Sequence, residues 1–228
     1  MDTSIDSAAL LLTLRLAAST TAILLLVAIP IAWWIASGAG VARALARATV
    51  ALPLVLPPTV LGFYLLVALG PLTAPGRLLT KLLGHPVAFS FTGLLIGSLL
   101  YSLPFAVQPL VAGFSSVDRA YLEAASGLGV SPSATFARIV LPLSKASILT
   151  SAVLTFTHTV GEFGVVLMLG GNIPGATRTL SIALYDQVQD FNYAAANRTS
   201  AVLLVLAVLS LLVIYLAPGS ARKRDDLV

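Results

Sequence analysis

The sequence predicts an all-α integral membrane protein with about five transmembrane helices, and three observations carry that expectation. Hydrophobic residues make up 58% of the 228-residue chain and charged residues only 10%, against roughly 25% charged residues in soluble domains. The mean hydropathy is +0.99. Five apolar stretches, residues 8–37, 49–70, 87–114, 144–170 and 195–217, each meet the ~20 residues that a helix needs to cross a ~30 Å hydrocarbon layer. These runs are apolar on every face, whereas barrel strands alternate over ~10 residues, so helices are expected. The whole chain, residues 1–228, reads as one membrane domain.

The first span follows "MDTSID", which is acidic, and its apolar run is too long for a cleavable signal peptide, so it is expected to persist as a helix. Arg15 lies one to two turns inside it and is expected to snorkel outward. Trp33 and Trp34, near the far end, read as interfacial anchors. In the second span Pro53, Pro57 and Pro58 remove backbone donors and free carbonyls that protein or water must satisfy. That pattern fits a broken helix bordering a pathway, and equally an ordinary proline kink. Thr59 beside the prolines can donate to an oxyanion.

The third span leads into residues 115–143, the longest polar segment between two spans. Asp118 or Ser116 can cap a helix through "RAYLEAASGL", and Gly129 follows where a left-handed residue would end it. Ser131 then caps a second helix with Pro132 at its first position. Tyr121, Ala124, Ala125 and Leu128 share one side of the first helix and form a compact apolar knob. Ala124, Ala125, Ser126 and Gly127 offer lipid little apolar area but permit close approach of another protein. Leu141-Pro142 is expected to end the second helix.

The fourth span carries polar residues, which are costly in lipid and point to a pathway. Thr155, His158, Thr159 and Glu162 fall on one face at helical spacing, with His158 and Glu162 four apart. They read as a pore-lining stripe; for Glu162 the alternative is a buried His–Glu or Arg–Glu pair that fixes helix packing. An ionised Glu162 repels an anion, so its expected role is gate or packing anchor. Between the fourth and fifth spans, Arg178, Asp186 and Asp190 disfavour a further crossing, and the segment reads as an external loop with a short helix. Arg178 fits contact with an anion or with an acidic protein surface, and equally a solvated charge.

Placing the N-terminus outside puts Arg43, Arg47, Arg119, Arg138, Lys145, Arg222, Lys223 and Arg224 inside, eight of the 13 basic residues. That bias orients the C-terminus and the loop 115–143 toward the cytoplasm. The net charge of +4 suits ordinary insertion as well as an anionic cargo. With no cysteine in the chain, disulfides, thiolate metal sites and iron–sulfur clusters are excluded. Neither a metal nor another cofactor is expected, and no nucleic-acid partner. No GxxxxGK[ST] phosphate loop is present, so ATP hydrolysis would have to reside on another chain.

Glu123-Ala124-Ala125, three residues, Gly129, nine residues, then Ile139-x-Leu141-Pro142 resembles the EAA signature of ABC importer permeases. "LPLVLPPTVLGFYLL", "GEFG" and "GNIPGATRTL" are similar to the molybdate branch, with sulfate and tungstate permeases alike there. The resemblance implies a type I importer permease of the bacterial or archaeal inner membrane, in which the loop is a coupling helix docking on a cytoplasmic ATPase. It also implies a homodimer with its pore at the dimer axis and a periplasmic oxyanion-binding protein as partner. His158 stands where such permeases often carry arginine. Two other classes are an intramembrane serine protease using Ser126 and His158, and a proton-coupled secondary transporter using Glu162. The protease reading places Ser126 in the aqueous loop and His158 near mid-bilayer, too far apart for a ~3 Å contact.

Overall fold

The computed structural model describes residues 6–216, and these contain helices and loops without a strand. Helix α1 (Ser7–Ala36) starts at Asp6, whose side chain accepts the Ala9 N–H at 2.9 Å. Helix α5 (Phe91–Ser115) runs parallel to it. Arg15 lies over the Phe91 ring at 4.5 Å at one end of the pair, and Trp33 meets Phe114 edge-on at 6.2 Å at the other. Helix α9 (Lys145–Gly161) returns antiparallel to α5. Ser144, just before it, donates to the Gly113 carbonyl, Ser151 donates to the Ala106 carbonyl at 2.7 Å, and His158 reaches Ser102. Lipid supplies no hydrophobic drive between helices, so small residues at the contacts and buried hydroxyl bonds hold such a bundle together.

The second span is two helices. Helix α2 (Val41–Val55) starts earlier than expected and keeps Pro53 inside it, and α3 (Pro58–Ala68) departs from it at 109°. The break falls at Leu56 and Pro57, both extended with ψ of 135°, because each precedes a proline that disfavours helical geometry. With 11 residues, α3 is only about 16 Å long and cannot cross alone. A helix that sequence reading did not anticipate, α4 (Ala74–Leu83), follows; Thr73 caps its start and Gly84 closes it.

The fourth span is broken as well. Helix α9 stops at Gly161, Glu162 is extended, and α10 (Gly164–Gly170) begins after Phe163. At the other end of α9 stand α7 (Pro132–Thr135), a π-helical turn (Phe136–Val140) and α8 (Leu141–Leu143), bent by 73° from α9 at Ser144. Pro142 therefore does not end its helix. It has no N–H for the Arg138 carbonyl, the Leu141 N–H bonds the Phe136 carbonyl instead, and the turn widens by one residue.

Helix α11 (Leu180–Gln189) is the short helix expected in the external loop, but its first turn is buried, with the Leu180 N–H donating to the Thr13 hydroxyl at 2.9 Å. Helix α12 (Tyr193–Leu216) buries little beyond Ala195, Ala196 and Thr199 near its start, leaving its apolar surface outward as contact with lipid requires. Among the described residues three helices, α1, α5 and α12, are long and apolar enough to cross a membrane, and bent pairs raise the count to five. The basic tail at 222–224 and the end of the fifth expected span lie outside the described residues.

Candidate functional site

Two places merit the name of site. They stand at opposite ends of α9.

At the first, helix α6 (Arg119–Gly127) is framed as its sequence demands. Asp118 accepts the Ala120 N–H at 2.9 Å. At the far end the Val130 N–H reaches the Ala125 carbonyl and the Gly129 N–H the Ser126 carbonyl, both at 3.0 Å. That pair of bonds is a Schellman motif, and Gly129 sits in it at φ +71°. Ser131 caps the following helix, with Pro132 in its first turn.

The exposed side of α6 carries Tyr121, Ala124 and Leu128, the last 82% exposed. Ala125 does not join them; it is 4% exposed and faces inward. Glu123 is exposed and shares with Arg119, Ser126, Trp33 and Gly38 a groove of about 700 Å³ between α6 and the end of α1. The other half of the signature lies elsewhere. Leu141 packs on the core beside Val140, Ile139 is half-buried in the π turn, and Pro142 is exposed beyond it. The exposed face of α6 thus carries only part of the sequence pattern, and the remaining residues lie in the π turn and α8. Trp33 is half-buried and meets Phe114 edge-on and the tilted ring of Phe136 at 5.0 Å. Trp34 faces outward against Arg43, whose guanidinium donates to the Trp34 and Ala39 carbonyls, while Arg47 donates to that of Ile35. Two basic side chains thereby satisfy carbonyls that the end of α1 leaves open.

The second place is a cavity of about 450 Å³ beside the break after α9. Pro58 and Thr59 from the start of α3, Tyr101 from the middle of α5, and His158, Glu162 and Gly164 line it. The first turns of α3 and α10 meet here at very short range: a Cβ on Gly164 would stand 2.9 Å from Pro58 Cβ and 3.2 Å from the Thr59 nitrogen. Thr59 is exposed to the opening. Its place at the N-terminal end of an 11-residue helix gives it the positive end of the backbone dipoles.

The expected stripe is only partly assembled. His158 lines the cavity, with its ring stacked on Phe105 at 3.9 Å and near Tyr101 at 4.9 Å. Thr155 and Thr159 are buried behind it and serve as supports: Thr159 donates to the Thr155 carbonyl at 2.9 Å and stands 3.0 Å from the Ser102 hydroxyl. Glu162 is off the helical face, because the chain is extended there. It is 4% exposed, and neither carboxyl oxygen has a hydrogen-bond partner among the described residues. Among the described residues no ion pair to His158 or to an arginine holds it, so the packing pair expected from spacing is not formed there. Pro57 caps α3 but is not part of the lining.

Sequence reading missed Ser98, Ser102, Tyr101 and Phe105. The first two are buried polar residues four apart in an apolar span, a signal of the same kind that exposed His158. Arg15 is exposed and lies over the Phe91 ring. Arg178 stays at the surface, where it pairs with Asp186 at 3.5 Å and donates to Asn172, which in turn donates to Asp186. His158 contacts Ser102 rather than Ser126, and Ser126 is exposed on α6, which removes the protease pairing.

Comparison with known proteins gives a consistent result. Residues 13–223 match the family described as binding-protein-dependent transport system inner membrane component. The chain is 48% identical over 92% of its length to the molybdenum transport system permease protein ModB of Azotobacter vinelandii, covering 93% of that protein. It is 34% identical over 95% of both chains to the protein of that name in Escherichia coli K12. A probable sulfate transport system permease of Chlorella vulgaris is 31% identical over 73% of this chain and 62% of its own. Among solved structures, a chain of a bacterial alginate ABC transporter in complex with a pentasaccharide-bound periplasmic protein superposes with a TM-score of 0.71 at 19% identity, covering 95% of this chain and 78% of that one. A chain of the inward-facing MetNI methionine ABC transporter gives 0.69 at 16% identity, covering 91% of each. These two likenesses establish the fold alone.

Proposed function

We propose that this chain, which belongs to the family of binding-protein-dependent transport system inner membrane components, is the membrane-spanning permease subunit of an ATP-driven importer of molybdate. The observation that carries the cargo is the 48% identity along 92% of the chain to a molybdenum permease. Sulfate is the second reading, favoured by the more distant sulfate permease relative. The chain is not itself an enzyme. Hydrolysis belongs to a separate ATPase subunit, in keeping with the lack of a phosphate loop.

In this reading the loop 115–143 faces the cytoplasm and the N-terminus lies outside. The exposed Tyr121–Ala124–Leu128 face of α6 enters the ATPase surface. Its motion has a short mechanical path: α6 is fixed to α7 through the Gly129 corner, and α8 meets α9 at Ser144. Helix α9, 17 residues and about 25 Å long, ends at the Glu162 break beside the cavity. A displacement at the cytoplasmic end therefore reaches the cavity along one rigid rod. Two copies of the chain, each contributing a cavity, flank the pathway, and a periplasmic oxyanion-binding protein delivers the cargo from outside.

Uptake of radiolabelled molybdate tests the function. Cells lacking their own permease should regain uptake when this chain is expressed with its ATPase and binding protein, and lose it when the chain alone is omitted.

A further inference from the structure

The hydroxyls behind His158 fix where the ring carries its proton. Thr159 has one hydroxyl hydrogen, and the carbonyl of Thr155 at 2.9 Å can only accept, so that hydrogen is committed there. The 3.0 Å contact between Ser102 and Thr159 must then use the Ser102 hydrogen. With both hydroxyl hydrogens spent, the 2.9 Å contact between Ser102 Oγ and His158 Nδ1 is satisfied only if Nδ1–H donates. In a neutral ring Nε2 is then left as a bare lone pair. It has no partner among the described residues, and His158 lines the cavity.

A lone pair facing an oxyanion repels it; an Nε2–H attracts it. On the reading of the chain as an oxyanion permease, we propose that His158 is a cargo-contacting residue whose Nε2 takes a proton from water as the anion enters. The ring becomes an imidazolium whose Nδ1–H stays on Ser102 while the new Nε2–H points at an anion oxygen. When the anion leaves, the proton returns to water. The anion favours the charged ring, so the apparent affinity for cargo strengthens as pH falls and weakens as pH rises.

Other ionisable groups on the elements packed around His158 bear on this. Tyr101 on α5 and Glu162 at the helix break line the same cavity, and Glu162 is the competing base. The cavity residues of α3 are Pro58 and Thr59, which do not titrate. Arg15 on α1 is engaged with Phe91, and Arg198 on α12 is not in the lining.

The chain has two histidines, His85 and His158, which makes the proton directly observable. Histidine-selective ¹⁵N NMR of the reconstituted transporter, with His85→Gln for assignment, should show neutral His158 as the Nδ1–H tautomer. Adding molybdate at pH 7 should convert it to imidazolium. An Nε2–H tautomer, or a ring that stays neutral with molybdate bound, overturns the proposal. In the same preparation the apparent molybdate affinity of the wild type should rise as pH is lowered from 8 to 6, at most about tenfold per pH unit for one proton. His158→Gln and His158→Arg, which always present an N–H, should lose that dependence, and Glu162→Gln should keep it whatever its absolute rate. Loss in Glu162→Gln with retention in His158→Gln assigns the proton to the carboxyl and refutes the inference. If molybdate fails to stimulate wild-type hydrolysis at every pH, the transport reading itself falls and the cargo role of His158 falls with it, while the tautomer result still reports on the hydroxyl relay.

Discussion

Gly164 and Pro58 stand so close that a Cβ added to the glycine would lie 2.9 Å from the Cβ of the proline. This contact is where the two broken spans, α2–α3 and α9–α10, meet at the cavity; farther along, Gly62 of α3 packs against Val165 and Met168 of α10. Neither neighbour can move cheaply, since Pro58 is in the first turn of its helix and the next atom, the Thr59 nitrogen at 3.2 Å, is backbone. Gly164→Ala should therefore cost roughly 1–3 kcal/mol by overpacking and lower transport, while the chain still inserts. Thermal unfolding in detergent together with uptake would show it, and a fully active, equally stable variant would mean the two spans are not locked there.

At Gly129 the constraint is conformational and not steric. Nothing lies within 4 Å of a Cβ built there, yet φ is +71°. A valine must adopt the left-handed region at a cost of roughly 1–2 kcal/mol or release the Schellman motif and turn α7 away. Gly129→Val, and Ala124→Trp on the exposed face of α6, should both leave the chain inserted yet weaken recovery of the ATPase in a pull-down. Undiminished recovery with full coupling in both would make α6 a surface helix without a docking role.

Replacing Glu162 by glutamine removes a buried carboxyl whose oxygens have no hydrogen-bond partner among the described residues. Since a negative charge opposes an anionic cargo, the residue is assigned to gating or assembly. Glu162→Gln should alter transport rate or thermal stability without changing the order of preference among molybdate, tungstate and sulfate. A switched preference in a well-folded variant would place Glu162 against the cargo.

Orientation is open to a chemical test at Ser133, which is exposed in the first turn of α7. Because the natural chain has no cysteine, Ser133→Cys introduces a single thiol. It should react with an impermeant maleimide in inverted membranes and not in intact cells; the opposite pattern would invert the topology.

The sequence made the capped α6, the Gly129 corner and the apolar spans legible because each depends on local chemistry: a side-chain cap, a left-handed turn, a run long enough for lipid. What it concealed is informative. Hydropathy averages over a window, so 49–70 and 144–170 read as continuous spans although both are broken. The Pro57-Pro58 break was readable as chemistry but not as a 109° turn, and the Glu162-Phe163 break carries no proline to announce it. Placing Glu162 on the face of His158 assumed helical geometry one residue beyond where the helix ends. Ser98 and Ser102 passed unremarked because small hydroxyls are unremarkable in a membrane helix until a partner across 56 residues, His158, is seen beside Ser102.

The central claim, that this chain carries molybdate under the control of a separate ATPase, is most directly tested in proteoliposomes holding the chain and its ATPase with the binding protein outside. The account predicts that molybdate raises ATP hydrolysis and enters the lumen only when ATP and binding protein are both present, with sulfate the weaker stimulant. Stimulation by sulfate and not by molybdate, or molybdate uptake driven by a proton gradient without ATP, would contradict it.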